Sequence, residues 1–444
     1  MGGRKQNLVL VATILGSAVV LLDSTIVNLA LPKIEHYFHS GFSDLQWVAD
    51  AYSLSLSALI LLGGSLGDIF GRKKVYLTGL AGFGLCSLLC SLSPSALALI
   101  LFRVMQGIFG AMLVPGGLAV INTNFERKIR GKAIGIWTAW TSIAVLLGPL
   151  TGGVILDAAS WRWIFLVNIP IIIICLLIAL PSIKDSRDEE PRKVDWLGAG
   201  LAAAALTGIT YGLIQGPSQS WPLIDVLALA AGLVIFGLFI LTELKIKDPM
   251  IRMSLFKSRN FTGSNLMTFC MYGALSGYIV ALVIYLQQYV GFSSLKTGLT
   301  TLPVSLLMFL FAGRVGGLAG KYGPRLFMTI GPITSAVGIA SLYFVGHHSS
   351  YLLHIFPGIL LFGCGLVLTV APLTTTVMTS VDEQFSGIAS GINNAVSRAA
   401  GLIIVALLGL FGARQYFHFA MILCACLAAT SGIISYLFIS RPAD

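Results

Sequence analysis

A helix needs about 20 mostly apolar residues to cross a hydrocarbon core, and this chain offers such runs almost end to end. Candidate spans fall near 8–31, 46–66, 75–94, 97–119, 133–156, 163–182, 194–214 and 222–243. They continue near 262–288, 295–316, 325–346, 351–378, 385–412 and 417–439. Only 10% of the 444 residues are charged, far below the quarter usual in soluble domains. The expected fold class is therefore an all-α integral membrane protein with about fourteen transmembrane helices. The first run is too long for a secretory signal and lacks an obvious cleavage site, so it reads as a retained helix.

The formal net charge of +10 is not a nucleic-acid footprint, because the cations sit in short loops between spans. One set of alternate loops carries Arg72, Lys73, Lys74, Arg127, Lys128, Arg130, Lys132, Lys184, Arg187, Arg192, Lys193, Lys245 and Lys247, with more beyond. The other set receives Lys33, Arg162, Lys296 and Arg414. Positive residues favour the cytoplasmic side, so both termini are expected there, in a plasma or inner membrane. The most polar stretch, Lys184 to Asp195, reads as a connector. Lys245 to Arg259 is basic and amphipathic, suited to lie along the inner membrane face. The layout is six, two, six: a six-helix bundle at 1–182, a linker at 183–193, two inserted helices at 194–243, an amphipathic linker at 244–261 and a second six-helix bundle at 262–444.

Several function classes lose support. The seven cysteines all lie in apolar runs with no Cys-x-x-Cys pair, which argues against a disulfide framework or zinc site. Five of the six histidines fall at or near outer loops, which does not make a metal set. There is no His-Glu-x-x-His, nucleophile elbow or phosphate loop, so an enzyme is not expected.

An ionisable group inside a span costs about 2.5–3.5 kcal/mol even on the lenient insertion scale, so each needs a reason. Asp23, in the first span, lies about 22 Å along a helix that enters near Leu8, in the outer half. Arg103 in the fourth span and Asp50, a turn into the second, reach similar depth. Two carboxylates and one guanidinium at one level suit a buried network that takes up and releases a proton. The alternatives are a static ion pair for Asp23 and Arg103, and a hydrated interfacial site for Asp50. Arg103 keeps its charge at any working pH, so its part would be to tune a carboxylate. In the fifth span Gly148-Pro149-Leu150-Thr151-Gly152-Gly153 combines a helix-kinking proline with glycines that permit close packing.

Between the second and third spans runs Gly64-Ser65-Leu66-Gly67-Asp68-Ile69-Phe70-Gly71-Arg72-Lys73-Lys74. Asp68 near a helix C-terminus opposes the helix dipole unless a cation neutralises it, and Arg72 is one turn away. Gly316 to Arg325 echoes this loop in the second bundle, with Gly320 where Asp68 stands. The loop resembles the signature of the major facilitator superfamily of secondary transporters. The Gly-Pro-x-x-Gly-Gly core, Asp23 within Leu-Asp-x-Thr-Ile-Val-Asn and the fourteen spans resemble its fourteen-helix drug:proton antiporter family, along the whole chain. That resemblance implies a major facilitator fold of two six-helix bundles plus two extra helices. It also implies export of lipophilic compounds in exchange for protons, by alternating access.

The resemblance carries over Asp23 and Arg103 as proton-coupling candidates; Asp50 joins them by its depth alone. Gly148, Pro149, Gly152 and Gly153 come across as antiporter-motif positions. Gly64, Asp68, Gly71 and Arg72 come across as a gating loop, with Glu126 as partner to Arg72. Ala144 replaces the glycine that opens the family's fifth-helix pattern. No acid occurs between Asp248 and Asp382, which makes a multivalent-cation exporter less favoured and leaves neutral, zwitterionic or anionic substrates open. Asn265, Tyr272 and Tyr278 in the ninth span are pocket candidates, with interhelical or lipid packing as the alternative. Asn265 and Tyr272 share a helical face, and Tyr278 points about 120° away. No cofactor is expected beyond the proton gradient as energy source. The partners are a small lipophilic molecule, protons and the bilayer, with no nucleic acid, and a monomer suffices. The competing reading is an importer or uniporter of a polar metabolite.

Overall fold

The computed structural model describes residues 4–186, 195–218, 220–246, 249, 251–346, 350–381, 386–408 and 412–440. The regular elements among them are all helical. In the first half they are α1 (Arg4–Phe38), α2 (Phe42–Phe70), α3 (Arg72–Ser91), α4 (Ala96–Asn124), α5 (Arg127–Ala158), the short α6 (Trp163–Leu166) and α7 (Asn168–Ser182). Then come α8 (Trp196–Ser218), α9 (Leu223–Lys245), α10 (Arg259–Gln288), α11 (Ser294–Tyr322), α12 (Pro324–Ser341), α13 (Phe356–Thr379), α14 (Ser386–Leu408) and α15 (Gly412–Phe438). Each expected span overlaps one of these helices, α6 and α7 together forming the sixth. Among the described residues, 13 helices are long and apolar enough to cross a membrane, and α5 adds a shorter apolar segment at Leu147–Ala158. Of the connector at 183–193, residues 187–193 lie outside the described residues.

The chain divides into two compact units, Met1–Leu206 with Ile246–Met250 and Thr207–Lys245 with Ile251–Asp444. The first unit packs α2 on α4, α3 on α4, and α1 on α5 and α7. Its apolar core includes Val19, Val20, Tyr52, Leu56, Tyr76, Phe83, Val120 and Cys175. In the second, α12 packs on α13 and α15, α10 on α14 and α15, and α11 on α13. One of its cores gathers Phe261, Met267, Met328, Leu373 and Ile392.

Polar contacts at the two ends of the first unit sort the loops as the alternating charges require. At one end the α2–α3 turn meets the end of α7: Arg72 N donates to Ser186 O at 2.8 Å and Lys73 Nζ to Leu180 O at 2.7 Å. Lys184 N adds a bond to Asn124 Oδ1 at the end of α4, 3.0 Å away. At the other end Arg162, after α5, donates to Ser91 O and Ser93 O at 2.6 and 3.0 Å and to Tyr37 Oη at 3.2 Å. The second unit is built likewise. Arg325 at the start of α12 donates to Tyr436 O near the end of α15, while Tyr285 stacks on Phe417 with ring centroids 3.8 Å apart at the opposite end.

The loop echo is visible in the backbone. Gly71 sits at φ 101, ψ 126 and its counterpart Gly323 at φ 84, ψ 148. Both are in the region that L side chains avoid, and each ends one long helix and starts the next. An alanine at Gly71 would also place its Cβ 2.9 Å from Asp185 Oδ1. Gly71→Ala is expected to cost about 1–3 kcal/mol, read as a lowered thermal midpoint in detergent.

Candidate functional site

Asp23, twenty residues into α1, is 1% exposed, and Arg103 on α4 is also 1% exposed. The two form an ion pair, with Arg103 Nη1 2.5 Å from Asp23 Oδ2. Two charges this deep are stable only when their remaining hydrogen-bonding capacity is met. Gln106, one turn beyond Arg103, donates from Nε2 to Asp23 Oδ1 at 3.0 Å and accepts from Arg103 Nη1 at 2.8 Å. Asn168, the first residue of α7, donates from Nδ2 to Asp23 Oδ1 and to Ser87 Oγ, both at 3.0 Å. Ser87 on α3 in turn donates from its hydroxyl to Phe165 O at 2.9 Å. Three helices, α1, α4 and α7, thus meet at one carboxylate, and α3 braces Asn168 behind it.

The guanidinium is held from the α2 side. Arg103 Cζ lies 4.3 Å from the Tyr52 ring centroid and 5.9 Å from that of Phe165, within cation–π range. Arg103 Nε reaches Val48 O at 3.4 Å. α2 approaches α4 this closely because Gly107 has no side chain. A Cβ there would strike Ser55 Oγ and Tyr52 O and stand 3.1 Å from Leu56 N. Backbone atoms cannot move aside as a side-chain tip can, so Gly107→Val is expected to cost at least about 1–3 kcal/mol. A thermal melt in detergent checks this.

The third carboxyl-level residue behaves differently. Asp50 is buried, 3% exposed, which removes the hydrated alternative. It does not join the expected three-group network: the ion pair of Arg103 is with Asp23, and Asp50 Oδ2 has no hydrogen-bond partner among the described residues. One carboxylate satisfies the guanidinium, and the Nε of Arg103 is directed at a backbone carbonyl instead.

The Gly-Pro segment lies against the same stretch of α1. A Cβ on Gly148 would collide with Thr25, and one on Gly152 would come within 2.9 Å of Ile26 Cγ2. Thr25 and Ile26 follow Asp23 by two and three residues. Gly152 and Gly153 are buried and Pro149 is half-buried inside the continuous α5. The motif therefore allows α5 to pack at backbone distance beside the ion pair.

The signature loop is a separate cluster. Arg72 donates to Asp68 Oδ1 from Nε at 3.0 Å and from Nη2 at 2.8 Å. This is the cation that offsets the helix-dipole penalty of Asp68. Arg72 is thus paired within its own loop and not with Glu126, which is exposed at the start of α5. Gly64 lies 3.6 Å, at the position of a Cβ, from the Pro115 ring of α4. With the Asp68 side chain 42% exposed, the pair contributes at most about 1 kcal/mol to stability.

The pocket candidates on α10 separate. Asn265 is buried and its Oδ1 accepts from Asn393 Nδ2 of α14 at 3.2 Å, a donor shared with Thr268 Oγ1 at 2.7 Å. Tyr272 is half-buried against the second unit's core. Tyr278 is 1% exposed, with its ring 4.4 Å from that of Phe362 on α13. Its hydroxyl has no partner among the described residues. Tyr278 is interhelical packing, and it does not share a lining with the other two.

Sequence reasoning passed over Gln106, Ser87 and Asn168 as contributors, and two buried acids of the inserted pair. Gln106 had a usable signal, its i+3 spacing from Arg103. Asp225 in α9 is 0% exposed with neither carboxylate oxygen partnered among the described residues. Glu243, 2% exposed, accepts from Ile251 N at 2.7 Å. Both lie near the ends of α9.

The family model of the Major Facilitator Superfamily matches residues 13–405. The multidrug resistance protein Stp of Mycobacterium tuberculosis is 35% identical over 409 residues, covering 91% of this chain and 76% of that protein. The methylenomycin A resistance protein of Bacillus subtilis is 32% identical, covering 90% and 86%. The tetracenomycin C resistance and export protein of Streptomyces glaucescens is 29% identical, covering 91% and 76%. Among solved structures, a POT family transporter in complex with 5-aminolevulinic acid aligns with TM-score 0.75 at 13% identity, covering 97% of this chain and 95% of that one. The inward-open xylose transporter XylE of E. coli gives 0.66 at 15% identity, covering 98% and 96%.

Proposed function

We propose a transport mechanism for a chain that belongs to the Major Facilitator Superfamily. It is a multi-pass membrane transport protein for a small molecule, not an enzyme. On our reading it exports lipophilic drugs or similar compounds in exchange for protons, by alternating access. It does so as a monomer in the plasma or inner membrane with both termini cytoplasmic, and it needs no cofactor beyond the proton gradient. The names of three relatives, each a drug-resistance or export protein, support the direction and substrate class.

The observation that carries proton coupling is the buried Asp23–Arg103 pair. A carboxylate sealed where three helices meet must either keep its counter-ion or take a proton when helices move and the pairing is lost. Proton entry on one side and release on the other then follow from which partner Asp23 has. The glycine face of α5 against Thr25 and Ile26 gives α1 a neighbour along which it can shift. The Asp68–Arg72 loop, too weak to matter for stability, is suited to break and reform with each cycle. Asp68→Asn is therefore expected to move the thermal midpoint little while strongly lowering transport, measured side by side.

The test is a panel of dyes and antibiotics offered to inverted vesicles that carry the protein. Accumulation that needs a pH gradient and collapses with an uncoupler supports the reading. Uptake of a polar metabolite into whole cells, indifferent to uncoupler, would replace it with the importer.

A further inference from the structure

The hydrogen-bond set around Asp23 has a chemical asymmetry. Its Oδ2 accepts from Arg103 Nη1, and its Oδ1 accepts from both Gln106 Nε2 and Asn168 Nδ2. Every partner is an N–H donor, which suits a carboxylate. A protonated carboxyl presents an O–H, and that group needs an acceptor where only donors stand. One of the three partners must change for the neutral form to be accommodated in place.

Arg103 has no acceptor to offer. Gln106 has one, but its Oε1 already accepts from Arg103 Nη1 at 2.8 Å. Turning that amide would set its NH2 against the guanidinium. Asn168 is free of this constraint. Its Oδ1 is buried and accepts no hydrogen bond among the described residues, while its Nδ2 faces Asp23 and Ser87. Half a turn about the Cβ–Cγ bond exchanges the two ends, which are nearly equal in size. Oδ1 then accepts the Asp23 O–H, and the Ser87 hydroxyl swings from Phe165 O to the same oxygen. One end of the amide is left without a partner in either arrangement, and the turned one also costs Phe165 O its bond from Ser87, which the new Asp23 O–H bond must offset.

We propose that Asn168 is a two-state amide that matches both protonation states of Asp23, donating to the carboxylate and accepting from the carboxyl. It is a positioning residue: the proton stays on Asp23, and Asn168 neither gains nor loses one. The inference rests on the reading of Asp23 as the coupling site. On the helices packed against α1, the charged and titratable groups near this level are Arg103 of α4, Cys90 of α3, whose Sγ lies 3.8 Å from Gln106 Oε1, and Tyr52 and Asp50 of α2. Cys175 of α7 lies lower, at Ala12 O. Lys33, Asp157 and Arg162 lie towards the end where α5 gives way to α6. The α5 face opposite Thr25 and Ile26 is glycine.

The experiment is a pH titration by infrared difference spectroscopy on the full chain in lipid nanodiscs. The Asp23 carboxyl band is identified by its loss in Asp23→Asn. Asn168→Leu removes donor and acceptor together at similar volume. A charge-assisted bond is about twice as strong as a neutral one, so its loss should move the carboxyl midpoint to higher pH by about one unit. The band position should also change, because the O–H has lost its acceptor. Asn168→Gln should restore both in part. In the wild type a side-chain amide band should change with the same midpoint as the carboxyl, and this change should vanish in Asp23→Asn. An unshifted or lowered midpoint in Asn168→Leu overturns the proposal. So does a wild-type amide band that ignores pH, a readout that does not depend on the variant folding. If Asp23→Asn removes no pH-dependent carboxyl band at all, the coupling reading fails first and the proposal falls with it.

Discussion

Arg103→Ala is expected to destabilise the protein by about 3–5 kcal/mol and to abolish driven transport. Removing one partner of a buried ion pair leaves the other charge uncompensated, which costs more than the pair contributes. Here the abandoned group is Asp23, 1% exposed, and Gln106 would lose its bond to Arg103 Nη1 as well. Tyr52 would lose the cation over its ring. Part of the loss should be recovered by neutralising the orphan, so Asp23→Asn with Arg103→Ala should melt above Arg103→Ala alone. Melting of the wild type and both variants in one detergent gives the comparison. If the double variant melts as low as Arg103→Ala or lower, the penalty does not come from the stranded carboxylate, and the electrostatic account of this site is wrong.

The second large effect belongs to Asp23→Asn. Asparagine keeps the shape and one acceptor oxygen, so Arg103 stays partly bonded; its uncompensated charge lowers the thermal midpoint, but the fold should persist. What is lost is the group that can exchange a proton. Driven efflux should fall to background while the protein remains monodisperse and retains substrate binding. Asp50→Asn separates the two carboxylates: Asp50 lies outside the ion pair, so its replacement should leave the Arg103 contacts intact. A null effect of Asp23→Asn on gradient-driven efflux would remove Asp23 from the mechanism.

The membrane fold was legible because the bilayer imposes one demand on every span, and Leu8–Leu31 or Trp163–Ser182 can satisfy it in few other ways. The ion pair was legible for a related reason: a charge at the depth of Asp23 or Arg103 is too costly to be incidental. Its surroundings were not. Ser87, Asn168 and Tyr52 arrive from three different helices, and hydroxyls, amides and tyrosines are common in spans. Nothing in sequence spacing brings residue 168 to residue 23. Asp50 misled because depth along a helix does not give rotation, and its carboxyl does not meet Arg103. Tyr278 misled in the same way: an aromatic in a span suits a pocket and a packed interface equally, and Phe362 decides for packing. The loop at Gly64–Lys74 gave its local pair, Asp68 with Arg72, because the two are one turn apart. The expected longer-range partner, Glu126, depended on tertiary placement that four residues of spacing do not encode.

If a proton on Asp23 is exchanged for substrate, the cycle can be run backwards in proteoliposomes that carry a pH dye inside. An imposed substrate gradient should drive protons the opposite way in the wild type, and Asp23→Asn should abolish that proton flux while substrate-for-substrate exchange persists. Proton flux of wild-type size in Asp23→Asn would contradict the account.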